Sequence, residues 1–212
     1  MKMGNVNMGN VSMDDVTIGV LALQGAFSSH ERAFARTGVS TRQVRLPRDL
    51  DGVDALAMPG GESTTMSQLL ESSGLFDAIS GRIASGMPVF GTCAGVILLA
   101  NSVLDGRDDQ RSFAALNLTV RRNGYGRQID SFESDIDVKG LDAPFPAVFI
   151  RAPIIEAVGA DVEVLATHGG FPVAVATERI LGITFHPELT DDSRLHGLFV
   201  NRVVSSITTN RR

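Results

Sequence analysis

Gly91-Thr92-Cys93-Ala94-Gly95 sets the chain's one cysteine between two glycines, after one short apolar run (88–92) and at the head of another (93–100). A G-x-C-x-G segment at a strand-to-helix junction is the cysteine form of the nucleophile elbow. So sharp a turn admits no bulk on either side of the nucleophile. It exposes the sulfur at the carboxyl edge of a sheet and at the start of a helix, where free N–H groups and the helix dipole favour thiolate. The N–H of Ala94 then points to where an oxyanion would form. The same pentapeptide also suits a small buried cysteine in a glycine-rich turn.

A thiolate nucleophile needs a base, and the base needs an orienting group. His186 is the best of the four histidines, because it ends an apolar run (181–185) and stands in His186-Pro187-Glu188. In extended chain, residues i and i+2 share a face, so Glu188 would hold the imidazole and set its tautomer. The alternative is a surface histidine at a strand end. His30 falls in a predicted helix and reads as a surface residue, His168 sits in a turn, and His196 is on the last helix. Their spacings make no metal constellation, so no metal is expected.

Pro59-Gly60-Gly61-Glu62-Ser63-Thr64 follows another apolar run. Adjacent glycines let backbone N–H groups approach a ligand, which leaves an anion nest, a second oxyanion donor or a plain turn. The order of a phosphate-binding P-loop is absent. Arg121, Arg122 and Arg151 close strand-like runs, and arginine suits bidentate carboxylate binding.

The elements that must carry these groups alternate from residue 16 onward. Strands are predicted at 16–23, 39–45, 53–58 and 88–92. Helices are predicted at 27–37, from a cap at Ser63 or Thr64 through Leu70, at 75–85 and after Cys93. Continuous apolar strands interleaved with helices favour a mostly parallel sheet covered on both faces. Beyond a solvated loop at 105–111, strand-like runs at 116–121, 147–150, 162–166, 173–176 and 181–185 predict antiparallel or edge strands completing the sheet. An amphipathic helix is predicted over 193–207.

The chain has 212 residues, and 43% of them are hydrophobic, enough for one large domain. Residues 1–14 read as a disordered extension, leaving 15–212 as a single domain. The net charge of −5 argues against a nucleic-acid binder, which needs a basic surplus. A lone cysteine excludes an internal disulfide framework. With no signal-peptide pattern and no apolar run near the roughly 20 residues of a membrane span, a cytoplasmic protein is expected. On residues alone, three readings stay open: an amide hydrolase, a cysteine peptidase and a non-catalytic thiol sensor.

Six ordered blocks then carry a resemblance: LALQGAF at 21–27, MPGGESTTM at 58–66, FGTCAG at 90–95, RNGYGRQIDSFE at 122–133, FIRAP at 149–153 and FHPELT at 185–190. GTCAG with a later HPE resembles the class I glutamine amidotransferases. The full set, spanning about 16–204, resembles the glutaminase subunits of pyridoxal 5′-phosphate synthase. The N-terminal extension and a slightly longer 105–111 loop depart from that pattern without touching a block.

The resemblance implies a flavodoxin-like three-layer α/β fold, with a mixed central sheet and helices on both faces. It implies Cys93 as nucleophile, His186 as base and Glu188 as orienting carboxylate. Gly60, Gly61 and Glu62 match the glutamine site, as do Arg122, Ile150 and Arg151. Gly61 and Ala94 match the oxyanion donors, and Gln24-Gly25 would lie near a partner interface. The implied substrate is L-glutamine and no cofactor is implied. Free ammonia is protonated and diluted in water, so an acceptor must stand beside its source. One domain leaves no room for acceptor chemistry, and the resemblance implies a separate synthase chain.

Overall fold

The computed structural model describes residues 12–107, 109–122 and 131–210. Ser12 caps a short 3-10 turn at Met13–Asp15, and the rest of the predicted N-terminal extension lies outside the described residues. The chain then runs through β1 (Thr17–Leu21), α1 (Phe27–Ala35), β2 (Ser40–Val44), β3 (Ala55–Met58), α2 (Ser63–Ser72), α3 (Leu75–Ala84), β4 (Val89–Thr92) and α4 (Ala94–Leu99). The second half adds β5 (Ala100–Val103), β6 (Leu116–Arg121), β7 (Ser131–Ile136), β8 (Phe145–Ile150), β9 (Ile154–Val158), β10 (Glu163–His168), β11 (Phe171–Ala176), β12 (Ile180–Ile183) and α5 (Arg194–Asn210).

Seven strands form the central sheet in the order β10-β11-β12-β4-β3-β1-β2. β12, β4, β3, β1 and β2 are parallel, while β11 pairs antiparallel with β12 and with β10. Every residue of β3, β4 and β12 is buried, as strands covered on both faces must be. Alternate side chains feed two cores. Ile18, Val20, Ala57, Phe90 and Ile183 join Phe34 of α1 and Phe199 of α5 on one face. Leu21, Leu56, Met58 and Val89 join Met66 of α2, Phe76 of α3 and Leu99 of α4 on the other. This is the mixed sheet with helices on both faces that the sequence predicts.

Three sequence expectations change. The runs at 116–121 and 147–150 do not complete the central sheet. β6 pairs with β5 and β9 in a three-stranded sheet, and β8 pairs with β7 alone. The run at 181–185 is no edge strand, because β12 lies inside the sheet, parallel to β4. The α2 cap is Glu62 rather than Ser63 or Thr64; its carboxylate accepts from the Thr64 and Thr65 N–H groups. A longer side chain reaches the first-turn amides here because Glu62 itself is extended, at φ −93° and ψ 113°.

Candidate active site

The predicted elbow is present. β4 ends at Thr92, α4 begins at Ala94, and Cys93 between them has φ 48° and ψ −106°. Such a conformation costs a non-glycine residue roughly 1–3 kcal/mol and persists only where neighbours impose it. The imposing contacts are visible. The Cys93 N–H donates to Ile183 O at 2.8 Å, pinning the bend across β4 and β12. A Cβ on Gly91 would lie 2.6 Å from Leu99 Cδ1, and one on Gly95 would collide with the Met58 carbonyl. Glycine at both flanks is thus a packing requirement. Ala94 is buried at the first position of α4, where its N–H has no acceptor within the helix.

β12 delivers His186. Because it runs parallel to β4, its carboxyl end emerges at the same edge of the sheet as Cys93. Beyond it, the His186 N–H donates to Val148 O at 2.8 Å, and Pro187–Leu189 form a 3-10 turn. The expected extended-chain geometry of His186 and Glu188 is therefore corrected: Pro187 starts a helical turn, which curls Glu188 back beneath the ring. The predicted contact forms all the same, with His186 Nδ1–H donating to Glu188 Oε1 at 2.8 Å.

Burial disfavours a charge on His186, but the adjacent Cys93 and the hydrogen-bonded Glu188 outweigh it. The imidazolium is pushed up to about 10 and is held at neutral pH. Glu188 is itself buried, which favours its neutral form. The nearby His30, the hydrogen bond from His186 and the His186 charge reverse that and hold the carboxyl below its ordinary value. Cys93 is 6% exposed, facing a cavity of about 280 Å³.

That cavity gathers all the residues assigned above to the glutamine site. Gly60, Gly61 and Glu62 line it from the start of α2, Arg122 from the end of β6, and Ile150 and Arg151 from the end of β8. Gly60 lies against both side chains: a Cβ there would collide with the His186 ring and lie 3.2 Å from Cys93 Cβ. Glu62 binds Arg122 Nη2 at 2.7 Å. Despite partial burial, the Thr65 and Thr64 hydrogen bonds and the Arg122 charge lower its carboxyl to about 2. Arg151 has φ 46°, a second strained non-glycine residue at the cavity. The 123–130 portion of the block beginning at Arg122 lies outside the described residues. Gly25, Ala26, Ser63, Ile97 and Leu189 also line the cavity.

Sequence reasoning missed several supports. His30, read as a surface residue, is fully buried. It sits three residues after Phe27 and four before Phe34, so the inward stripe of α1 was the available signal. Its Nε2 lies 3.1 Å from Thr92 Oγ1 and 3.4 Å from Glu188 Oε2. Its Nδ1 lies 3.0 Å from Nε2 of the buried His196. The predicted solvated loop supplies Gln110, whose Oε1 accepts from Arg122 Nη1 and Thr64 Oγ1, each at 3.1 Å. Arg111 beside it stacks on Phe76 at 3.8 Å, anchoring the loop to α3. No local pattern marks either contact.

The pattern of the SNO glutamine amidotransferase family matches residues 20–205. A Salinispora tropica protein named pyridoxal 5′-phosphate synthase subunit PdxT is 52% identical over 196 residues, covering 90% of this chain and 98% of that protein. A Mycobacteroides abscessus protein of the same name is 52% identical over 186 residues, covering 88% and 96%. A crystal structure described as a glutamine amidotransferase matches with a TM-score of 0.83 at 45% identity, covering 88% of this chain and 98% of the other. The elbow, the parallel strand that brings a histidine to it, and these likenesses along nearly the full length agree: the chain belongs to the SNO glutamine amidotransferase family.

Proposed function

We propose that the chain hydrolyses the side-chain amide of L-glutamine and passes the ammonia to a separate pyridoxal 5′-phosphate synthase chain. The observation that carries this reading is the placement of His186, hydrogen-bonded to Glu188 and crowding Gly60 together with Cys93 at the cavity wall.

The Cys93 thiolate attacks the amide carbon, and the carbonyl electrons move onto oxygen. Backbone N–H groups of Gly61 and Ala94 hold that oxyanion, at roughly 3–4 kcal/mol for each donor. Attack consumes the negative charge on sulfur that supports the imidazolium, so His186 becomes a stronger acid as the leaving nitrogen needs a proton. It protonates that nitrogen, the C–N bond breaks, and ammonia departs, leaving a γ-glutamyl thioester. Neutral His186 then takes a proton from water, whose oxygen adds to the thioester carbon. The sulfur leaves, and glutamate is released. Glu188 orients the ring throughout. Glu62 suits the substrate's ammonium, while Arg122 and Arg151 suit its carboxylate.

The synthase reading rests on the names of the relatives and on the need of an ammonia source for an adjacent acceptor. Ammonia release is expected to rise when the synthase chain is added, and Cys93→Ala is expected to abolish it with the fold intact. A glutamine-mimicking electrophile is expected to label Cys93, with glutamine protecting. Labelling indifferent to glutamine would favour a general thiol hydrolase, and turnover retained in Cys93→Ala would end the nucleophile assignment.

A further inference from the structure

Beside the second carboxylate oxygen of Glu188 lies a buried polar chain that the hydrolysis above does not use. It joins Thr92 of β4, His30 of α1 and His196 of α5, and all three are fully buried. Aromatic rings enclose it: Phe34 lies 4.8 Å and Phe90 5.3 Å from the His196 ring.

One proton arrangement satisfies the chain. Burial lowers the proton affinity of His30, and the His186 charge adds to that against the opposing pull of Glu188, so His30 is neutral and has a single N–H. Burial, with His30 and the Arg36 charge nearby, drives His196 well below its ordinary value, so it too has one N–H. A carboxylate only accepts. The His30 proton is therefore on Nε2, facing Glu188 Oε2 and Thr92 Oγ1. His30 Nδ1 then accepts from His196 Nε2–H. The group left over is His196 Nδ1, and that atom has no hydrogen-bond partner among the described residues. The opposite arrangement would strand an N–H donor among aromatic rings and aim a lone pair at the carboxylate, both costlier than one bare acceptor.

The other unpartnered atom nearby is Glu188 Oε2, buried with no hydrogen bond among the described residues. His30 Nε2, 3.4 Å away, is the cation-capable group that meets it. The geometry points to His30 as a positioning residue: anchored by His196 and Thr92, it presents an N–H to the second oxygen of Glu188 and so fixes the carboxylate whose first oxygen aims His186 at Cys93. This inference rests on the hydrolytic reading of Cys93 and His186.

The chain contains one cysteine, so iodoacetamide reports on Cys93 alone. Its alkylation rate at pH 6 relative to pH 9 is compared in the unaltered chain, His186→Asn, His30→Met, His30→Gln and Thr92→Val. Glutamine turnover is measured for each with the synthase chain present, and circular dichroism checks the fold. His30→Met is expected to lower kcat roughly tenfold to a hundredfold, the scale on which outer orienting groups act, with KM within about twofold. Its alkylation at pH 6 is expected to slow as well. His30→Gln restores an N–H near Nε2 and is expected to recover most of kcat. Thr92→Val keeps the bulk and removes the hydroxyl anchor, so it is expected to move kcat and the pH ratio the same way even if His30→Met does not fold. A pH ratio that responds to His186→Asn but not to Thr92→Val or a folded His30→Met overturns this inference alone. A ratio indifferent to His186→Asn overturns the hydrolytic reading and this inference with it.

Discussion

Gly60 has no side chain where a single methyl would strike the His186 ring and crowd Cys93. Gly60→Ala is therefore expected to displace the imidazole and cut kcat by more than about tenfold, a 1 Å misplacement in such a site being worth up to roughly 10²-fold. An unchanged urea midpoint would show that the loss is local. The charge on His186 can be read directly. Because its value in the folded chain is raised to about 10 from an ordinary 6.5, its ring stays protonated across neutral pH. Its contribution to stability is present below pH 6.5 and is lost as pH rises through about 10. Cys93→Ala removes the support that the neighbouring sulfur gives, so the His186 ring is expected to titrate at a lower pH than in the unaltered chain. Histidine ring resonances followed from pH 5 to 11 in both proteins test this, and identical titrations would mean that the sulfur does not support the charge.

The turns at the carboxyl edge of the sheet are held from outside themselves. α4 follows Cys93 closely because Gly95 lets its backbone approach the Met58 carbonyl of β3. Gly95→Ala is expected to push α4 off the sheet and destabilise by roughly 1–3 kcal/mol, measured by urea denaturation, with activity lost in parallel because Cys93 rides on that junction. α2 is capped by Glu62, whose carboxyl is lowered to about 2 from 4.5 by the Thr65 and Thr64 hydrogen bonds and Arg122. A lowered carboxyl stabilises above its unfolded value, and that contribution is lost as pH falls from about 4.5 toward 2. Glu62→Ala is expected to cost about 1 kcal/mol at pH 7, the scale of a lost helix cap, and to flatten the fall in stability below pH 4.5. An equally steep acid limb in the variant would place that pH dependence elsewhere.

Across the whole molecule, the two faces of the sheet have different work. One face carries α2, α3 and α4, which shape the cavity wall and the elbow. On the other, Phe199 of α5 stacks on Phe90 of β4 at 5.4 Å and meets Phe34 of α1 at 6.2 Å, closing the layer that holds His30 and His196. Phe199→Ala is expected to cost about 3–5 kcal/mol. If α5 fixes His196 and through it His30, kcat is expected to fall in protein that remains folded. Denaturation midpoints and turnover on the same samples check the pair, and full kcat at lowered stability would separate the layer from the site. No helix of the described residues is long and apolar enough to cross a membrane.

Some of this was legible along the chain and some was not, and the dividing line is sequence separation. The elbow around Cys93, the glycine pair at 60–61, the apolar runs of β3 and β4 and the His186–Glu188 contact are each marked by residues within a few positions of one another, so local pattern suffices to read them. Even there the backbone route differed, because Pro187 makes a helical turn where alternation suggested a strand. β5, β7 and β9 were not read as strands, since short or polar segments acquire that state from their pairing partners. His30 looked like a surface residue because a histidine among serines and charges is one only until Thr92, Glu188 and His196, between 62 and 166 positions away, enclose it. A buried polar group is stable only with partners in place, and those partners come together only once parallel strands and both helix layers have packed.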